Sequence, residues 1–393
     1  MQLDRISISH NGLASHLDTL PYRDHLLSAA REDHCLRITA LQQASDLSVQ
    51  PCAAGVELRI GGICYEMALP AEHTLHIKTG SGNDQLMVQT WADCQLVLET
   101  GEGDDEIRLH RAPSAASGGS VVVDAGPGND VVVADGQQDV EIDAGAGNDF
   151  ISSNAAQALL YAGPGNDGLK VEDGRANLEA LAGSNRIATG TLDARIYANR
   201  GAIGEIDGFD APLLFEPAQP GLPPAYAQTF DIQGDRPYVE KVSRQLDMLR
   251  ASPAASVLLA ELVAMGVKVA ITYTAVLDNA FAGYEPSEGD ARVRNGQRGA
   301  RIRNCKILYN PLAHRFGTPS LVMLYHELCH VWNYATGSVI GDAEQQTVGL
   351  ATGVAPFDFD DDPNTPPIDT NPKPFNENAL RYELGLPPRT RYR

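Results

Sequence analysis

Positive charge is in short supply in this chain: 30 Lys and Arg stand against 51 Asp and Glu, a formal net charge of −21. Nucleic-acid binding normally needs a basic face, so no nucleic-acid partner is expected. Cysteine is sparse as well. Six residues (Cys35, Cys52, Cys64, Cys94, Cys305 and Cys329) are scattered without CxxC spacing, which argues against a disulfide framework and against a cysteine zinc site. No apolar run approaches bilayer-spanning length, so no membrane span is expected. Met1 to Ser7 lacks a basic segment leading into an apolar one, so no Sec signal peptide is expected and export would need another route. Wholesale disorder is excluded too, because 43% of the 393 residues are hydrophobic and can build real cores.

What is present is, first, a repeat. Gly80-Ser81-Gly82-Asn83-Asp84 recurs as Gly101-Glu102-Gly103-Asp104-Asp105, Gly126-Pro127-Gly128-Asn129-Asp130, Gly145-Ala146-Gly147-Asn148-Asp149 and Gly163-Pro164-Gly165-Asn166-Asp167, with a degenerate copy from Gly183. Short apolar runs flank the copies, among them Leu96-Val97-Leu98, Val121-Val122-Val123 and Val131-Val132-Val133. A period near 20 of strand, Gly-rich turn and strand reads as stacked coils. Residues 61–210 are therefore expected to form a right-handed parallel β-solenoid, preceded by 1–60, a segment of uncertain fold in which Pro21–Ala40 suggests a short helix and then a strand. The turns resemble the hemolysin-type calcium-binding nonapeptide through their G-x-G-N-D-x-apolar half. That resemblance implies Ca²⁺ held by turn carbonyls and aspartates. The period departs from the family's nine residues, leaving half-sites or asymmetric sites. The plainer reading is that Asn and Asp cap the turns by bonding their own backbone.

A Pro-rich linker is expected over 211–229, where Pro212, Pro217, Pro220, Pro223 and Pro224 cluster. Beyond it, over 230–393, helical periodicity appears at 239–250 and 252–264. Strands are expected at 267–273 and 302–309. The whole reads as a multidomain chain, a solenoid followed by an α+β, zincin-like domain.

The chemistry is concentrated on one helix. Thr318 suits an N-cap, Pro319 the first helical position and Gly337 the stop. His326 and His330 lie four residues apart, so their rings leave the same face and can share an ion. Glu327, one position round, can reach a water on that ion without ligating it. A zinc there brings the pKa of its water to about 7, and the carboxylate accepts the proton as the water attacks a carbonyl. Cys329 points elsewhere and is expected to be a small buried residue. A third ligand is needed; Glu344, just after a glycine-bounded turn, is preferred over Glu377, whose place in a first helical turn with Arg381 at i+4 has a structural explanation. An oxyanion donor is expected from Tyr382, Arg381 or Tyr392, with Tyr392 preferred. The strand 302–309 is expected to pair with an extended substrate. The loop Asp358, Asp360, Asp361 and Asp362 reads as solvated, or as a lure for a basic substrate segment.

Three stretches carry a family resemblance: His326-Glu327-Leu328-Cys329-His330, then Ala343 to Leu350, then Asn376 to Tyr392 with Asn376-Glu377-Asn378-Ala379-Leu380-Arg381-Tyr382 and Pro387-Pro388-Arg389-Thr390-Arg391-Tyr392. From about residue 235 onward the chain resembles the NleD-type effector zinc metallopeptidases that bacterial pathogens secrete. The resemblance implies an endopeptidase toxin or effector delivered into a target cell and acting on a protein there. It does not reach the solenoid, so the substrate can differ. A competing reading makes the solenoid the working part, a calcium-dependent adhesion or binding protein with an inactive peptidase fold. The intact Glu327 speaks against it. A third makes the solenoid a secretion or folding module that orders in high external calcium. The oligomeric state is left open.

Overall fold

A computed structural model describes residues 4–392 apart from 11–12, 44, 72, 92–94, 113–118, 138, 192, 209–212, 217–222, 278 and 314–317. Cys94 and residues 211–212 and 217–222 of the Pro-rich stretch thus lie outside the described residues, while Leu213–Phe215 forms a strand and Pro224–Thr229 a helix within the span expected to be a linker. The chain divides into two units, Met1–Leu214 and Phe215–Arg393. Among the described residues no helix is long and apolar enough to cross a membrane, and the five described cysteines are free thiols.

The first unit is a β-solenoid in which every repeat supplies two strands. Gln95–Glu99 precedes the turn at Gly101 and Glu106–Arg111 follows it. Strands before the turns stack in parallel register, Leu96 opposite Val121 and Val121 opposite Val140. Strands after the turns do the same, Ile107 opposite Val132 and Val132 opposite Ile151. Two long sheets result. Alternate residues of each strand (Leu96 and Leu98, Ile107 and Leu109, Val121 and Val123) are buried in one continuous core, which is what a period of two within each strand produces.

The turns stack as closely as backbone allows. Gly145 has φ of 94°, and a Cβ there would lie 1.8 Å from the carbonyl oxygen of Gly126 in the neighbouring coil, so only glycine fits. The turn side chains behave differently from the expectation that they bond their own backbone. Asp105 Oδ1 accepts the N–H of Asp84 at 2.8 Å, Asp130 that of Asp105 at 2.7 Å, Asp149 that of Asp130 at 2.8 Å and Asp167 that of Asp149 at 2.9 Å. Asn185 ends this buried ladder by accepting from Asp167 at 2.9 Å. An exposed ladder runs beside it, Asn129, Asn148 and Asn166 each donating to the residue one coil back. The pairing is between coils because the parallel stack brings equivalent residues together.

The first 60 residues also enter the sheets. Asp46–Cys52 pairs in parallel with Gln85–Thr90, and Leu58 lies opposite Tyr65 across residue 60. The helix expected within Pro21–Ala40 is absent. Leu27–Glu32 and Cys35–Ala40 instead form a hairpin. Leu27 and Ala29, then Leu36, Ile38 and Ala40, alternate into the core; the paired apolar residues Leu26-Leu27 and Ala29-Ala30 disguise that period of two.

The second unit has a four-stranded sheet of β1 (Phe230–Gln233), β2 (Lys268–Tyr273), β3 (Phe281–Tyr284) and β4 (Asn304–Tyr309), in the order β1-β2-β4-β3. β3 is antiparallel to β4 and the other pairs are parallel. The strand expected to receive substrate is β4, and this expectation fails: β4 is interior, its hydrogen bonds taken by β2 and β3. The edge strand beside the site is β3. Around the sheet lie α1 (Pro224–Thr229), α2 (Arg236–Ala251), α3 (Pro253–Ala264), α4 (Ser320–Thr336), α5 (Ala343–Val348) and α6 (Glu377–Glu383). α4 packs on α3, α5, α6 and β3.

Candidate metal centre

Residues from Leu321 to Ala335 are buried on nearly every side of α4, as befits a central helix. Its start differs from expectation. Pro319 occupies the cap position without a side-chain hydrogen bond, and the Thr318 hydroxyl accepts from Arg381 at 3.1 Å instead. Its end is as expected: Gly337 adopts φ of 65°, and Ser338 N–H returns to the carbonyl of Asn333 at 2.9 Å, a Schellman closure. The sharp stop lets the chain fold back into α5, whose first turn Asp342 caps by accepting the N–H groups of Glu344 and Gln345.

α5 is fixed over α4 by a buried glutamine. Gln346 donates to Ser338 O at 2.8 Å, Asn371 Oδ1 at 2.8 Å and Asn333 Oδ1 at 3.3 Å, and accepts the Ile340 N–H at 2.8 Å. This brings Glu344 above the two imidazoles. His326 Nε2 and His330 Nε2 are 3.1 Å apart, and Glu344 Oε2 lies 3.1 Å from the first and 3.3 Å from the second.

The opposite nitrogens are already engaged. His326 Nδ1 is 2.8 Å from Glu377 Oε2. His330 Nδ1 is 3.1 Å from the Thr347 hydroxyl, which donates its own proton to Ala343 O at 2.8 Å and so accepts from the ring. In its neutral form each ring therefore carries its proton on Nδ1 and turns an Nε2 lone pair toward Glu344. Three acceptors facing one another at this range repel unless a proton or a metal ion lies among them. Burial alone would lower the His326 pKa, yet the flanking Glu344 and Glu377 carboxylates outweigh it and raise it to about 10. Glu344 is held low, against its burial, by His326 and His330. The place favours positive charge, and two imidazoles plus a carboxylate suit a divalent transition metal.

Glu377, the alternative third ligand, lies on the far side of His326 and is paired with Arg381 and Arg389 at 3.3 and 3.0 Å. His326, Glu327, His330, Glu344 and Tyr392 all line one cavity of about 460 Å³. The Glu327 carboxyl is raised chiefly by burial, with the Glu344 charge adding to this and His326, His330 and the Ala282 N–H opposing it. The Tyr392 ring stacks 6.3 Å from His326, and its phenol is pushed to about 12 by burial and by Glu344. Tyr382 is 81% exposed and lies over Lys373 instead. Arg381 is buried and committed to Glu377, Thr318 and the carbonyl of Pro387. Cys329 is fully buried, and burial raises its thiol far above the usual range. The acidic loop bonds within itself, Asp358 accepting from Asp361 and Asp362 from Asn364 at 2.9 Å each, and Asp361 pairs with Arg298.

Sequence reasoning missed three contributors. Thr347 and Gln346 lie within the quoted stretch around Glu344, but nothing in their spacing shows which ring or helix they reach. β3 was not foreseen, since Phe-Ala-Gly-Tyr is too short to show a period; Asn279 to Ala282 line the cavity.

Residues 226–392 match the model of the Peptidase M91 family, described as an effector protein. No curated protein and no solved structure matches the chain.

Proposed function

We propose that the C-terminal unit, which matches the model of that effector peptidase family over residues 226–392, is a zinc endopeptidase acting on a protein of a target cell into which the chain is delivered. The observation that carries the reading is the convergence of His326 Nε2, His330 Nε2 and Glu344 Oε2 within 3.1–3.3 Å of one another while both Nδ1 atoms are held elsewhere. In this reading the three atoms hold the ion. Zinc, when bound, supplies Lewis acidity that polarises the scissile carbonyl and makes water acidic near neutral pH.

Glu327 accepts the proton of the attacking water and passes it to the departing amine. Its burial supports this, because a carboxylate lifted from its ordinary range is a better base near neutrality. Tyr392 donates to the developing oxyanion; a phenol pushed to about 12 remains protonated, as a donor must. The substrate lies extended along the edge of β3, whose Phe281 is 62% exposed and whose Ala282 N–H contacts Glu327, and strand addition fixes the scissile bond over the carboxylates.

Terminal-peptide mapping of a target-cell lysate exposed to the wild-type chain and to Glu327→Gln tests this. New protein termini are expected with the wild type alone. The same termini appearing with Glu327→Gln would refute the proposed hydrolysis.

A further inference from the structure

The last residues of the chain return to the metal centre, and the route by which they do so has a consequence for the ion. Arg389 is fastened to α6 on both sides of its peptide: its N–H donates to Asn378 Oδ1 at 2.8 Å, and its carbonyl accepts from Asn378 Nδ2 at 3.0 Å. So held, its guanidinium reaches Glu377 Oε2 at 3.0 Å, the same oxygen that receives His326 Nδ1 at 2.8 Å. Arg381 takes the other oxygen at 3.3 Å and is itself tied to the tail through Pro387 O at 2.7 Å. The Arg389 guanidinium also lies 5.0 Å from the centre of the Tyr392 ring, and that ring covers a face of His326.

We propose that Glu377 is a positioning residue whose carboxylate, clamped between Arg381 and Arg389, sets the tautomer and tilt of His326, so that docking of the C-terminal tail is a condition of tight metal binding. A carboxylate 99% buried on the outer nitrogen of a metal-binding imidazole fixes the proton on that nitrogen and makes the inner one a better donor. Left to itself such a carboxylate has more than one staggered orientation. Two arginines, one from α6 and one from the tail, leave it one. Arg389 thus acts on the ion through Glu377 and His326, with no contact of its own.

The inference rests on the metal reading above, and the test separates the two. Zinc affinity of the full chain is measured by competition with a chromophoric chelator for wild type, Glu344→Ala, Glu377→Gln, Arg389→Ala and the Glu377→Gln/Arg389→Ala pair, with circular dichroism of each metal-free variant. Glu377→Gln is expected to weaken zinc about 10- to 100-fold. Arg389→Ala should weaken it less, and the double variant should bind like Glu377→Gln alone. Equal affinity of wild type and Glu377→Gln, or effects of the two substitutions that multiply, overturns the clamp. If wild type and Glu344→Ala bind zinc equally, the metal reading itself has failed. Should Glu377→Gln not fold, Arg389→Ala and Arg389→Lys decide: Arg389 is at the surface end of the clamp, and unchanged zinc affinity in a folded Arg389→Ala chain, or no recovery by lysine, rejects the proposal.

Discussion

Tyr392 and Tyr382 are ten residues apart in the same C-terminal stretch, and their surroundings give them opposite prospects. Tyr392 lies against His326 and beside Glu344 in the cavity, whereas Tyr382 faces solvent. Tyr392→Phe is expected to lower kcat about 10- to 100-fold, short of the 10²–10³ loss typical of an oxyanion donor in a fully enclosed site, while KM and zinc content stay as in the wild type. Steady-state kinetics on a cleaved peptide checks this, and an unchanged kcat removes Tyr392 from the chemistry. At this scale the sequence was informative wherever helix geometry alone decides. His326, Glu327 and His330 are placed relative to one another by 3.6 residues per turn. The choice between Glu344 and Glu377 was harder to read, because each touches His326 and only the fold reveals which nitrogen it meets. Thr318 shows the limit of local rules: it has the chemistry of a cap, but a buried arginine from α6 claims its hydroxyl.

The solenoid coil is an element whose stability depends on protons. In the buried ladder, the Oδ2 atoms of Asp84, Asp105, Asp130 and Asp167 have no hydrogen-bond partner, a costly state for a charged oxygen. Burial raises Asp105 to about 6, Asp130 to about 7 and Asp167 to about 6, partly offset by the backbone N–H each accepts. These values exceed the 3.8 of a free aspartate, so the folded coil binds protons more readily than the unfolded one. The ladder is then unpenalised near pH 4, and stability is lost as pH rises through 6 to 7. Hydrogen exchange of the turn amides, corrected for the intrinsic pH dependence of exchange, should give a larger opening free energy at pH 5 than at pH 8. Asp130→Asn should shrink that difference and stabilise the coil at pH 8, as Asn185 already serves at the end of the ladder. A coil that is more stable at pH 8, or unaffected by Asp130→Asn, contradicts this. The repeat itself was plain in the sequence because one motif recurs with glycines at fixed places. The cross-coil use of its aspartates was not, since a hydrogen bond between residues about 20 positions apart leaves no local mark. Strand order was equally hidden: β4 is the longer strand, with Cys305, Ile307 and Tyr309 alternating into the core, yet the short β3 closes the sheet and owns the edge.

At the scale of the whole molecule, two units of different construction share one chain, and the family match covers the second alone. The solenoid is a stack in which each coil depends on its neighbours. The second unit is a layered domain whose centre, α4, brings the two histidines to the foot of a cavity. Everything proposed about activity requires that His326, His330 and Glu344 hold a metal ion. Zinc content per chain after exhaustive dialysis, measured by elemental mass spectrometry on the wild type and on Glu344→Ala, tests that most directly. One zinc per wild-type chain, lost in a still-folded Glu344→Ala, is the predicted result; a metal-free wild type, or a Glu344→Ala chain that keeps its zinc, would contradict it.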